Sequence, residues 1–325
     1  METLKRIIKK PLLIIAIAVV VVIFIVGKKI QYYSANPIGE KECPPLFPSF
    51  AGDPSKQNRI EIEMPKYDIS WAQKGGFIND ASCLNKTAVH GIISVHSVDD
   101  IKNALLLAKD EDLRISIAGV KHSMGGHAFY KNALVLDMTK FNQMRLDEKS
   151  KVLNVQSGAT WHDIQNFLHP KFAVKAMQST DIFTIGGSIS VNAHGMDHHA
   201  GAIARTIRSM RVMLPDGSIK NISRTENPEL FSLVVGGYGL FGIVLDVDLE
   251  ITDNMVYQSE REVINYKEFP DVFNRKIEND ENIGLFYGHL STAPQSFLKE
   301  MILYTYKKVD VSDAKIPPLG EVSSI

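Results

Sequence analysis

The stretch Ile115-Ser-Ile-Ala-Gly-Val-Lys-His-Ser-Met-Gly-Gly-His-Ala-Phe129 begins as a β-branched strand and runs into a loop of glycine, small residues and histidine. Gly119, Gly125 and Gly126 permit positive φ and close backbone approach, so that successive N–H groups can converge on a phosphate or pyrophosphate. His122 and His127 add imidazole chemistry to the same turn. The loop is therefore read as the holder of a phosphorylated cofactor.

Upstream, His90-Gly-Ile-Ile-Ser-Val95 has strand composition. Ser97-Val-Asp-Asp100 is a helix cap followed by Ile101, Ala104, Leu105 and Ala108 at helical spacing. With Arg114 to Ala118 as the returning strand this predicts a βαβ unit, which places the loop at the carboxyl end of a strand, where such units bind ligands. Downstream, Leu134–Asp137 and Val152–Gln156 read as strands, and Thr160 caps a short helix carrying Ile164, Phe167 and Leu168. Ile207 to Leu214 turns at Pro215-Asp-Gly217 into a second strand through Ile222, and a helix is expected over Glu229 to Val235. Two more glycine segments follow the first: Thr184-Ile-Gly-Gly-Ser-Ile-Ser-Val-Asn-Ala-His-Gly-Met-Asp-His-His199 and Gly236-Gly-Tyr-Gly-Leu-Phe-Gly-Ile-Val-Leu-Asp246. Residues 237–242 fit G-x-G-x-x-G, yet a helix precedes and a β-rich strand follows, the reverse of a Rossmann turn.

The three glycine segments in this order resemble the FAD-binding domain of the vanillyl-alcohol oxidase (PCMH-type) flavoproteins over roughly residues 80–253. The run from Gly186 through His194-Gly-Met-Asp-His-His199 is most similar to the decaprenylphosphoryl-ribose oxidase branch. The His122-Ser123 pair departs from the Arg-Ser of that branch and is similar to cytokinin dehydrogenases and sugar-lactone oxidases. The resemblance implies an α+β fold: an FAD-binding domain of two α/β subdomains followed by the start of a substrate-binding cap. It implies FAD contacts from Ile117, Ala118, Gly119, Val120, Lys121, His122, Ser123, Met124, Gly125, Gly126 and His127. Further contacts are implied from Ser179, from Thr184, Ile185, Gly186 and Gly187, from His194, Gly195, Met196 and Asp197, and from Ile243 by its backbone; in the second segment Gly186 and Gly187 permit close approach, and Thr184 and Ser188 supply hydroxyl donors. In relatives with His-Ser the imidazole is bonded to the 8α carbon of the flavin, so a covalent link through His122 is also implied. Asp181 stands two residues closer to the double glycine than the aspartate base of cytokinin dehydrogenases, and no catalytic residue is identified.

The chain of 325 residues, net charge −1 and 45% hydrophobic, has the composition of an ordinary globular protein, with no basic excess to argue for nucleic acid. Leu12 to Val26 is an unbroken apolar run of fifteen residues with Lys5, Arg6, Lys9 and Lys10 before it and Lys28 and Lys29 after it. It would span roughly 22 Å as a helix, short of the ~30 Å hydrocarbon core unless flanking lysines snorkel. It is read as a single-pass signal-anchor, with the catalytic body on the non-cytoplasmic side by the positive-inside rule. Gly27-Lys-Lys-Ile-Gln-Tyr-Tyr33 lacks the small residues of a signal-peptide cleavage site. The expected organisation is an anchor over 1–35, a Pro-rich linker and lead-in over 36–78, the FAD-binding domain over 79–253 and the beginning of a cap over 254–325, in which Asn282 to Tyr306 reads as a strand, loop, strand passage. Cys43 and Cys83 can form one disulfide in an oxidising compartment or remain reduced, and both readings stay open.

These expectations describe a membrane-anchored FAD-linked oxidoreductase that takes a hydride from the CH–OH, less readily the CH–NH, of a sugar-like or lipid-linked substrate and passes electrons to oxygen, a quinone or a protein. A flavin-binding electron-transfer or structural protein is the first alternative. A metal-dependent hydrolase built on His194, Asp197, His198 and His199 is the second. No metal is expected, because a zinc site draws ligands from elements fixed by packing and no distant Cys/His partner is evident.

Overall fold

The computed structural model describes residues 19–28, 67–310 and 319. Residues 19–28 are helical, and the apolar side chains from Val19 to Val26 are exposed. The rest of the expected anchor, 1–18 and 29–35, lies outside the described residues, as do residues 36–66 of the linker and lead-in. Among the described residues no helix is long and apolar enough to cross a membrane.

Two sheets carry the body. The first has four strands in the order Trp71–Lys74, Gly91–Ser94, Leu134–Asp137, Ile115–Ala118, the last three parallel and the first antiparallel. The helix Val98–Asp110 is closed at its start by a reciprocal cap: Ser97 Oγ accepts from the Asp100 amide and the Asp100 carboxylate accepts from the Ser97 amide. Its Ile101, Ala104 and Ala108 pack with Ile93, Leu134 and Leu136. The expected βαβ unit is split. Leu134–Asp137 inserts between its two strands and is parallel to both, an order that strand composition does not encode. The loop that opened the sequence reading still leaves the carboxyl end of its strand.

The second sheet runs in the order Ile219–Ser223, Ile207–Met213, Ile243–Asp253, Val152–Gln156, Met144–Asp147, with Phe172–Val174 pairing the far end of the long central strand. The 207–223 hairpin turns where Pro215-Asp-Gly217 places it, with Gly217 at φ 81° and the Asp216 side chain accepting from the Ser218 amide. The helix Trp161–Leu168, capped by Thr160 and Asp163, lays Trp161, Ile164 and Leu168 onto this sheet. The strand Ile243–Asp253 stitches the halves together, because Ile243 and Leu245 enter the first core while Val247, Leu249 and Ile251 enter the second.

Beyond residue 254 a three-stranded antiparallel sheet forms in the order Val256–Asn265, Glu300–Val309, Ile283–Leu290, and Ile264, Val272, Ile277, Met301 and Leu303 share its core. Sequence reasoning anticipated the strand, loop, strand passage of 282–306 but not the first strand. Cys83 is disulfide-bonded, and the one other cysteine, Cys43, lies outside the described residues.

Candidate flavin-binding site

Three glycine segments spread over more than a hundred residues of chain meet at one place. A Cβ on Gly119 would stand 2.2 Å from Thr184 Oγ1, so the first segment lies directly on the second and only glycine fits there. The third reaches the second through backbone bonds, Gly236 N–H to Ile189 O at 2.9 Å and Tyr238 N–H to Ser190 O at 3.0 Å. It reaches the first through the His127 and Tyr238 rings, edge to face at 5.5 Å. His122 packs edge-on against Phe183 at 5.8 Å. Ile117, Ala118, Gly119 and Val120 thus sit at the strand end beside Thr184, and His122 sits beside the segment that leads into it.

Thr184 caps the short helix Ile185–Ser190 by accepting from the Gly187 amide at 3.3 Å. This helix fixes which of its residues can face a ligand. Ile185 is buried in the core. Gly186 is packed on Ser157, whose carbonyl accepts its amide at 2.8 Å, whereas Gly187 is exposed. Ser188, expected to offer a hydroxyl donor to the ligand, is turned inward. It is fully buried and bonds Gln178 at 2.8 Å, with the Trp161 indole donating to both.

The other expected contacts fall in two groups. Ser123, Met124, Gly125, Gly126 and His127 stay with the loop, while Lys121 swings its ammonium back to Asp137 at 3.0 Å. Ser179 is exposed on the approach to Thr184, and Ile243 sends its side chain into the core, which leaves only its backbone for a ligand. His194 is exposed, and Gly195 is pressed onto the Met177 carbonyl, which a Cβ would meet at 2.1 Å. The Met196 carbonyl accepts from the Phe286 amide at 3.0 Å, joining this loop to the third sheet. Asp197 caps its own turn by accepting from the His199 and Ala200 amides, both at 2.8 Å. Among the described residues no group of three or more His, Cys, Asp or Glu side chains could hold a metal.

His198 packs between Phe273 and Phe286, its two ring nitrogens buried without a hydrogen-bond partner. Burial and the neighbouring His199 lower its pKa, against a weaker upward pull from Asp197 and the Ile277 carbonyl. Tyr257 is pushed up by burial and by the Asp197 charge. Two features escaped the sequence reading. One is the pair of His162 Nδ1 and Asp181 Oδ2 at 2.8 Å, two residues ahead of Phe183. The other is the Asn79–Asn85 turn, which touches the glycine loop across 46 residues of chain. A run of Asn, Asp and Ser marks that turn as a turn, but not its distant partner.

The arrangement suits FAD on structural grounds. The hydroxyls of Ser123 and Ser157, both buried, have no protein partner among the described residues, and they lie in the first glycine loop and directly beneath the second. Interior hydroxyls are rarely left so without a ligand or water to satisfy them. Around them run glycine-permitted backbone and left-handed turns of the kind that present N–H groups to a pyrophosphate.

Residues 89–223 match the family model described as "FAD binding domain". The chain is 30% identical over 169 residues to decaprenylphosphoryl-beta-D-ribose oxidase of Mycolicibacterium smegmatis, covering 50% of this chain and 37% of the relative. It is 27% identical over 197 residues to cytokinin dehydrogenase 2 of Arabidopsis thaliana, covering 58% and 39%. With L-gulonolactone oxidase of Bos taurus it shares 24% over 217 residues, covering 62% and 48%. The chain thus spans between about a third and a half of the length of these curated relatives. Converging glycines, unsatisfied hydroxyls and family match agree that residues 89–223 are an FAD binding domain of the α+β PCMH type, similar to those of FAD-linked oxidoreductases.

Proposed function

We propose that the protein is an FAD-dependent oxidoreductase acting on the CH–OH group of a sugar-like or lipid-linked alcohol. The observation that carries the reading is the meeting of the three glycine segments around Ser123 and Ser157. Bound FAD would supply the hydride-accepting chemistry. The chain's own contribution is to hold the dinucleotide between the 119–127 loop, Thr184, Gly187 and the 194–197 loop, and to close one side with the third sheet through Phe286 and Met196. Two of the similar proteins are named as oxidases of a phosphoryl-ribose and of a gulonolactone, both polyhydroxylated, which supports a sugar-like donor. The same proposal takes His122 as a covalent attachment point and an oxygen, quinone or protein partner as electron acceptor. It also holds the protein to a membrane through the 12–26 run, with its body on the non-cytoplasmic side. The Cys83 disulfide supports an oxidising location.

The test is reconstitution of purified protein with FAD, followed by anaerobic addition of candidate sugar alcohols. Stoichiometric flavin that bleaches with a polyhydroxylated donor is the expected result. Bound flavin that no alcohol reduces, but that exchanges electrons with a partner, would move the assignment to an electron-transfer protein. Acid precipitation decides the His122 bond, with colour expected in the pellet and a yellow supernatant excluding it.

A further inference from the structure

We infer that the Asn79–Asn85 turn is a clamp that presets the glycine loop for the flavin pyrophosphate, with Asp80 and Asn85 as positioning residues; this rests on the FAD reading above. The loop contains three left-handed residues, Lys121 at φ 62°, Met124 at φ 55° and Gly126 at φ 72°. Such a backbone is unfavourable for lysine and methionine and needs support from its surroundings. Each of the three makes one hydrogen bond with the turn. The Ala81 amide donates to the Lys121 carbonyl at 2.9 Å, Asn85 Nδ2 donates to the Met124 carbonyl at 3.1 Å, and the Gly126 amide donates to Asp80 Oδ2 at 2.9 Å.

The turn is fixed independently of the loop. Asn79 Oδ1 accepts from the Asp80 and Asn85 amides at 3.0 and 3.1 Å, and Cys83 is disulfide-bonded. Asp80 is fully buried, and besides Gly126 it accepts from the Ser82 amide, the Ser82 hydroxyl and Asn85 Nδ2. Four donors directed at one side chain require an acceptor-only carboxylate, which an asparagine cannot reproduce. The fit is also steric, since a Cβ on Gly126 would stand 2.9 Å from the Asn85 side chain. A loop already held in its unusual backbone loses less freedom on binding, and affinity rises by the ordering that need not be repeated.

The test compares FAD dissociation constants, read from flavin fluorescence with His122→Ala throughout so that binding stays reversible, for the otherwise unaltered full-length protein and for Asn85→Ala, Asp80→Asn and Ser82→Ala. Thermal midpoints without FAD and hydrogen exchange at the Gly126 amide are measured alongside. Asn85→Ala, which removes the bond to the Met124 carbonyl and also one donor to Asp80, is expected to weaken FAD binding about ten-fold while lowering the FAD-free midpoint no more than Ser82→Ala, which likewise removes a donor from Asp80. Asp80→Asn should weaken it further and accelerate exchange at Gly126. Ser82→Ala, which touches Asp80 but not the loop, should bind nearly as the parent does. If Asp80→Asn does not fold, Asn85→Ala against Ser82→Ala decides alone. Parent protein that binds FAD while Asn85→Ala binds it equally well overturns the clamp and leaves the FAD reading standing. Parent protein that takes up no FAD overturns that reading, and the clamp with it.

Discussion

The two loops that flank the site are held in opposite ways. The 119–127 loop is fastened by polar contacts: the turn bonds to each of its left-handed residues, Lys121 is tied to Asp137, and a buried carboxylate gathers four donors. The 194–199 loop meets the third sheet through the Phe286 to Met196 backbone bond and through aromatic packing around His198, whose ring nitrogens are unsatisfied. Hydrogen bonds fix direction, so the first loop is suited to holding a phosphate in one geometry. Apolar contact is less directional, so the second is freer to shift against the sheet.

The largest effect should come from releasing the polar side at its covalent point. Cys83→Ser is expected to lower stability by about 2–4 kcal/mol, measured by urea unfolding, and to reduce FAD retention; an unchanged midpoint would show that the disulfide does not support this half. On the opposite side, Gly195→Ala places a Cβ against the Met177 carbonyl. It should cost about 1–3 kcal/mol and separate the third sheet from the body, seen as new proteolytic cleavage near residue 254.

The pH dependence distinguishes the sides more finely. His198 has a lowered folded pKa, so its contribution to stability is present above the ordinary histidine value of about 6.5 and is lost as pH falls from there through the folded value. His198→Leu should flatten that acid limb in a thermal-midpoint profile. Asp80 behaves differently. Burial raises its pKa, but hydrogen bonds from Ser82, Gly126 and Asn85 outweigh it and the net shift is downward. Its contribution therefore persists to much lower pH and is lost only as pH falls below the ordinary carboxylate range, so between pH 5 and 7 the two sides should separate. The smallest effect is expected of Tyr238→Ala, which removes one exposed ring contact with His127 and should cost about 0.5–1.5 kcal/mol in the presence of FAD.

Much of this was legible in the chain. The Ser97 and Thr160 caps, the 207–223 hairpin and the strand leading to the glycine loop are local signals, and each stands in the structure. Strand order was not legible, because the insertion of 134–137 between its parallel neighbours depends on which edges pair across long loops. The strand Val256–Asn265 was missed because Gln258, Ser259, Glu260, Arg261 and Glu262 are all polar and the first four are exposed, which hides the alternation that marks a half-buried strand. In the site, glycines announced the close approaches, whereas the left-handed Lys121 and Met124 carry no such sign. Ser188 was misjudged because a helical turn, not the residue type, decides which way a hydroxyl points.

The bond between Gly126 and Asp80 bears on how the molecule can be cut. The family match begins at residue 89, yet the Asp80 carboxylate and Asn85 amide that bond the glycine loop lie nine and four residues before it. A recombinant chain begun at residue 89 would keep all three glycine segments and lose the turn that bonds the first of them. Expression designs and chimeras with longer relatives should therefore start upstream of Asn79.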